Sequence, residues 1–302
     1  MRNKYPIYTT VEMNPETVLK ELDEEAFDYP FFNTGVTATI EKTFYQGSPP
    51  LNQGFEEGEE LELKGLIFSV SHCGSTLLVR MLNQLQGVKI VSESEAINGL
   101  LLSKILYNLD DHEIVNRLKG VISLYQQKAN AKHSLIIKLT SWNVYLIRLF
   151  HQAFPNLKWI FIDRETEELT NSIMSKDGGF IEWWDHSVDH LRKHFIETGI
   201  TINNKEDYIR QMIKGHRSHA NDHKNSRGLF LNYPQFIEDY EEIINHFGLA
   251  VTEEEIANSK KMLEYDSKSM EKKNWTNKSE IPITAALKSG EPHLHSPHSW
   301  VG

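Results

Sequence analysis

A single cysteine, Cys73, stands in a chain of 302 residues. That scarcity excludes an internal disulfide and any paired-cysteine zinc pattern, and it fits a reducing, cytoplasmic setting. Long apolar runs are missing too: no stretch approaches the ~18 residues of a membrane span. The opening Met1-Arg-Asn-Lys-Tyr-Pro leads into polar, acidic sequence rather than a signal segment. Basic charge is in deficit, with 32 Lys and Arg against 42 Asp and Glu and a formal net charge of -10. This argues against a nonspecific nucleic-acid or anionic-membrane binder, so an anionic ligand must be held by a local site. There is no internal repeat of fixed period. The 39% hydrophobic content suits one large α/β domain, or one domain with an extension.

What the chain does have is a sharp junction at residues 66–82. Leu66-Ile-Phe-Ser-Val70 is a short apolar, β-favouring run, broken at Ser71-His72-Cys73-Gly74. Leu77, Leu78, Met81, Leu82 and Leu85 then fall on one face of a helix. Strand, tight loop and helix N-terminus together aim backbone N–H groups and the positive end of the helix dipole at one point, which suits an anion. Gly74, Ser75 and Thr76 are small enough for a phosphate to approach the backbone, and two of them carry hydroxyls.

Around this junction the pattern alternates. Asn14-Pro15-Glu16 reads as the start of a helix of about ten residues, with a capping side chain, a proline at the first position and an acid near the positive end. Residues 27–63 read as irregular and carry the acidic run at 56–62, so residues 1–63 are expected to be an N-terminal helix and acidic linker packing on the core. Residues 64–302 form the main domain. Its further strands are expected at 88–91, 134–138, 157–162 and 228–232, separated by helices, with a helical insertion at about 176–226. The expected fold class is α/β, a mostly parallel central sheet with helices on both faces. Such a sheet gathers ligands outside the carboxyl ends of its strands. Residues 71–76, Glu93, Glu95, Lys138 and Arg164 would share that edge.

Two chemistries fit the loop poorly. A nucleoside-triphosphate loop reads G-x-x-x-x-G-K-[ST], but Ser69 and Ser75 stand at its first glycine and its lysine, so nothing neutralises the β and γ phosphates. A thiolate phosphatase needs an arginine six positions after its cysteine, where Val79 stands. Arg80 is one residue late, a turn of ~100° on a helix. Cys73 then reads as a small residue filling a tight loop.

A third reading draws on Arg164, at a strand's carboxyl end, and on Ser172, eight residues on in the following helix. Together with residues 66–82, and with Leu229-Phe-Leu-Asn-Tyr233 followed by Ile243-Ile-Asn-His-Phe247-Gly-Leu249, the pattern resembles the sulfotransferase superfamily that uses 3′-phosphoadenosine 5′-phosphosulfate (PAPS). The resemblance spans about residues 64–250 and implies a P-loop NTPase-like sulfotransferase architecture. It further implies that His72, Cys73, Gly74, Ser75 and Thr76 hold the 5′-phosphosulfate, that Arg164 and Ser172 bind the 3′-phosphate, and that Tyr233 is a further cofactor-binding residue. It implies no metal and sulfuryl transfer to a hydroxyl or amine of a small-molecule acceptor; a homodimer is a compatible assembly.

The chain departs from that family in two places. His72 stands where a lysine or arginine is usual, and only a protonated imidazole offers comparable donors, so activity is expected to depend on pH. The third strand keeps Lys138 but ends Lys138-Leu139-Thr140 without the histidine base of the cytosolic branch. Glu95, after the second strand, is the expected base, with His72 and Lys138 stabilising charge. The alternative is that Glu93 and Glu95 only favour a helix N-terminus. An inactive nucleotide-binding protein on the same fold is the alternative function, and a P-loop phosphotransferase a more distant one.

Other features are expected to be structural. His186, His190 and His194 recur every four residues on one helix without convergent ligands from elsewhere. His216, His219 and His223 read the same way. Trp183-Trp184 falls where the acceptor pocket is expected, and Glu271-Lys272-Lys273 is the nearest candidate for a basic phosphate loop. The tail from Pro292 to Trp300 mixes histidine, proline and serine without core periodicity.

Overall fold

Continuous apolar runs make the centre of the molecule. The computed structural model describes residues 3–38, 45–46, 60–127, 132–176, 184, 189–196 and 199–265. Within them, β4 (Glu62–Ser69), β5 (Val88–Ser92), β6 (Ser134–Lys138), β7 (Lys158–Asp163) and β8 (Gly228–Asn232) form one sheet in the order β5-β6-β4-β7-β8. Every neighbouring pair is parallel. Every residue of β5 and β6 is buried, as a sheet covered on both faces requires. The expected α/β class and parallel sheet are what the chain adopts.

The strand order explains why the edge near residue 70 is special. From β4 the chain passes through α2 (Ser75–Asn83) and crosses two positions to β5. From β6 and β7 it moves the other way, through α5 (Ile147–Ala153) and α6 (Thr166–Lys176). Right-handed crossovers send these helices to opposite faces, so a crevice opens outside the carboxyl end of β4. Between β5 and β6 the chain forms α3 (Glu95–Tyr107) and α4 (Asp111–Tyr125), divided at Asn108, whose φ is 50°. The insertion before β8 contains α7 (Asp189–His194) and α8 (Lys205–Asp222). After β8 come α9 (Tyr240–Phe247), closed by Gly248 at φ 63°, and α10 (Glu253–Lys260).

The N-terminal helix expected after Asn14-Pro15-Glu16 is corrected. Residues Thr17–Glu21 are strand β2, which pairs antiparallel with β1 (Lys4–Thr9). Its local sequence offers a helix cap, but tertiary pairing wins: β-branched Thr17 and Val18 sit in the ladder, and the buried Thr9 and Thr17 hydroxyls hydrogen-bond at 3.0 Å. Nor are residues 27–63 irregular throughout, since α1 (Phe32–Ala38) and the two-residue β3 (Tyr45–Gln46) lie among them. Tyr5, Ile7, Phe27 and Phe32 belong to the same core cluster as the central sheet. The acidic stretch up to residue 59 lies outside the described residues.

One buried charge ties this N-terminal segment to β5. Lys89 is 1% exposed, its Nζ lying 4.0 Å and 3.9 Å from the ring centroids of Tyr5 and Phe27 and 3.7 Å from Glu24 Oε1. Burial pushes the Lys89 ammonium down to about 8, against the raising influence of Glu24. Because the folded value lies below the ordinary lysine value, the folded state bears the whole cost of the charge below pH 8. That cost is relieved as pH rises toward the unfolded value. Lys89→Met is therefore expected to stabilise the protein at pH 7 by about 1–4 kcal/mol, with an advantage that shrinks toward pH 10. Thermal denaturation of both proteins at the two pH values checks this, and a Met variant less stable at pH 7 would contradict it.

Candidate functional site

The loop between β4 and α2 is built by two left-handed residues, His72 at φ 61° and Gly74 at φ 86°. Glycine is needed at the second for space as well as for φ, because a Cβ there would lie 2.5 Å from the Tyr233 ring. The Gly74 carbonyl accepts the first helical bonds, from the Leu77 amide at 2.9 Å and the Leu78 amide at 3.2 Å. No side chain caps this helix. A helix starting here points the positive end of its dipole at the loop where the sequence placed an anion.

Arg164 and Ser172 meet this loop. Ser172 Oγ hydrogen-bonds His72 Nδ1 at 2.9 Å, although the two residues are 100 apart in sequence. Arg164 Nη1 donates to the His72 carbonyl at 3.4 Å, and its Nε donates to Glu168 at 2.7 Å. The guanidinium lies 4.9 Å from the centroid of the Tyr233 ring, the same ring that covers Gly74. Arg164 and Ser172 are 6% and 5% exposed, so both side chains are largely shielded from water. His72, Gly74, Arg164, Ser172 and Tyr233 form one constellation, with Ser75 and Thr76 at its helix end.

The catalytic candidates divide. Lys138, at the end of β6, is buried and pairs with Glu93 through a short contact between its Nζ and Glu93 Oε1. It acts electrostatically on Cys73, which puts it beside the loop. Ser71 and Ser141 join the loop to the turn after β6 by a 2.7 Å hydrogen bond between their Oγ atoms. Glu95 opens α3 behind the Ser94 cap, and its charge bears on Tyr8 and Tyr125. The carboxylate paired with Lys138 is Glu93, held at φ 55°, a left-handed conformation costing roughly 1–2 kcal/mol in a non-glycine residue. The sequence signal for Glu93 was its place directly after an apolar strand, but nothing in the spacing separated it from Glu95.

Cys73 is fully buried, and burial pushes its thiol up, against the lowering influence of the Ser75 amide and Lys138. A thiolate nucleophile is therefore disfavoured. Arg80 is buried on α2 and directs Nη2 toward Met262 Sδ at 3.9 Å, away from the loop.

Three histidines of the insertion pack on aromatic rings. His216 and His219 lie 5.2 Å and 4.6 Å from the Tyr145 ring, and His194 lies 5.0 Å from Phe195. Trp184 packs on Tyr208 at 5.6 Å. His186, Trp183, residues 271–273 and the histidine-containing tail lie outside the described residues. Among the described residues no group of three His, Cys, Asp or Glu could hold a metal ion, and no helix is long and apolar enough to cross a membrane.

No family model matches the chain, and no curated protein matches it. Among solved structures it is similar to mouse sulfotransferase SULT7A1 complexed with PAP, at 16% identity and a TM-score of 0.37, over 68% of this chain and 64% of that one. It is also similar to a sulfotransferase from Alicyclobacillus acidocaldarius, at 12% identity and a TM-score of 0.40, over 63% of this chain and 82% of that one. A third is sulfotransferase STF9 from Mycobacterium avium, at 13% identity and a TM-score of 0.42, over 69% of each chain. The match to the mouse protein spans less than two thirds of that protein's length.

The state of Cys73 gives a direct check on the loop. Iodoacetamide at neutral pH is expected to leave Cys73 unmodified in the folded protein and to alkylate it only on unfolding. Mass spectrometry of the labelled peptide reads the outcome, and rapid native-state alkylation would restore the thiolate reading.

Proposed function

We propose that this chain transfers a sulfuryl group from PAPS to a hydroxyl or amine of a small acceptor. The observation that carries the reading is the hydrogen bond between His72 and Ser172, which joins the loop before α2 to the helix that follows Arg164. A nucleotide phosphorylated at both its 3′ and 5′ positions needs two anion-binding elements. A triphosphate-binding loop would need a lysine where Ser75 stands. The residues fit the cosubstrate at the loop as well, where the left-handed turn at Gly74 leads into a helix N-terminus with no side-chain cap.

PAPS supplies an activated sulfuryl group, and the protein's part is placement and charge. In this reading the loop amides, Ser75 and Thr76 hold the 5′ end, His72 faces the sulfonate, and Arg164 with Ser172 grips the 3′-phosphate. Lys138 stabilises charge that builds on the departing 5′-phosphate. The acceptor's proton goes to Glu93 rather than Glu95, because Glu93 is the carboxylate beside Lys138 and the loop. An acid and a base paired next to the anion site favour turnover over binding alone. The main domain is assigned to residues 64–302, with the hairpin and α1 of residues 1–63 packed against it, in a cytoplasmic protein acting on small molecules without a metal.

Transfer of labelled sulfuryl from PAPS across a panel of hydroxyl and amine acceptors tests the reading. Glu93→Gln is expected to lower kcat by roughly 10²–10⁴-fold, the usual weight of a general base, and Glu95→Gln to change it little. Arg164→Ala and Ser172→Ala are expected to weaken cosubstrate binding by about 1.5–3 kcal/mol per charge-assisted bond, with the loss in KM. Transfer to no acceptor would contradict the function. A loss in Glu95→Gln with Glu93→Gln unchanged would return the base to Glu95.

A further inference from the structure

Arg164 is held in place from a distance. It follows Asp163, the last residue of β7, and its own amide donates to Asp163 Oδ1 at 2.8 Å. The rest of that carboxylate belongs to Arg217, which comes from α8 in the helical insertion. Arg217 Nε donates to Asp163 Oδ2 at 2.7 Å and Nη2 to Asp163 Oδ1 at 3.1 Å, a two-pronged contact. The same guanidinium donates to Thr166 Oγ1 at 2.6 Å and to the Arg164 carbonyl at 2.6 Å. Arg217 thus bonds the residue before Arg164, Arg164 itself and the first residue of α6. All three contacts fix the backbone from which the Arg164 side chain reaches His72, Glu168 and Tyr233.

The helix bearing Arg217 is itself anchored beside the site. Tyr145 donates to the Met212 carbonyl of α8 at 3.3 Å and to the Phe195 carbonyl at 3.0 Å, and Tyr145 lies in the turn after β6 that also carries Ser141. Arg217 is about 29% exposed and Asp163 about 21%, so the contact is partly shielded from water. Asp163 pairs with Arg217 and Glu168 with Arg164, so each of these two cations is matched by a carboxylate.

We propose that Arg217 is a positioning residue for the 3′-phosphate site, fixing the backbone of Arg164 through Asp163 and Thr166 and so coupling the helical insertion to nucleotide binding. This rests on the reading of Arg164 as a 3′-phosphate ligand. Lysine keeps the charge of arginine but cannot make its planar, two-pronged contact, so Arg217→Lys separates geometry from charge.

The experiment is calorimetric titration of the full chain with adenosine 3′,5′-bisphosphate and with adenosine 5′-monophosphate, which lacks the 3′-phosphate. The unaltered protein is expected to prefer the bisphosphate strongly. In Arg217→Lys that preference is expected to fall about tenfold, with monophosphate affinity unchanged. Thr166→Val, which removes one Arg217 contact and keeps the others, is expected to show a smaller fall of the same kind. A preference unchanged in both variants would overturn the proposal. So would an equal loss of both ligands alongside a lower Tm, which is the mark of a merely structural role. A protein that never prefers the bisphosphate would instead overturn the cosubstrate reading on which the proposal rests.

Discussion

At Gly74 the backbone turns left-handed beneath the Tyr233 ring, so close that a methyl group there would sit 2.5 Å from a ring carbon. That approach sets the path of the loop into α2 and so the direction of the first-turn amides. It also fixes Tyr233, whose ring lies against the Arg164 guanidinium. Two segments far apart in sequence therefore share one ring as their spacer. The parallel sheet makes the arrangement reachable, because β4, β7 and β8 are adjacent and end at the same edge.

Charge at this edge is organised in pairs. Arg164 faces Glu168, Lys138 faces Glu93 and Arg217 faces Asp163. In a chain with a net charge of -10, such pairing keeps each cation oriented and half-desolvated without creating a broad positive field. An anion bound at such an edge would gain from prepositioned donors rather than from long-range attraction. The buried Cys73 thiol belongs to the same logic: it fills space under the loop, and its burial keeps it protonated.

Much of this was legible in the sequence. The five central strands announce themselves as apolar runs ending in polar residues, and the loop at 71–76 breaks one such run with small residues. The spacing of Arg164 and Ser172 pointed to a shared crevice, and the structure brings Ser172 onto His72. The hairpin of residues 4–21 was hidden because Asn14-Pro15-Glu16 satisfies a helix start locally, while the pairing of Thr17 with Thr9 depends on a distant strand. Glu93 and Glu95 could not be told apart, since their difference lies in a backbone φ and a partner, Lys138, that only the sheet register supplies. Arg217 sits in a helical stretch with no motif, and its role appears only when α8 is laid against the end of β7.

The central claim is that the edge holds a nucleotide phosphorylated at both its 3′ and 5′ positions rather than a nucleoside triphosphate. Thermal-shift titration of the unaltered chain with adenosine 3′,5′-bisphosphate, set beside ATP with magnesium, tests it most directly. The account predicts a saturable rise in Tm with the bisphosphate and none with ATP and magnesium. A rise with ATP and magnesium that equals or exceeds that with the bisphosphate would contradict it.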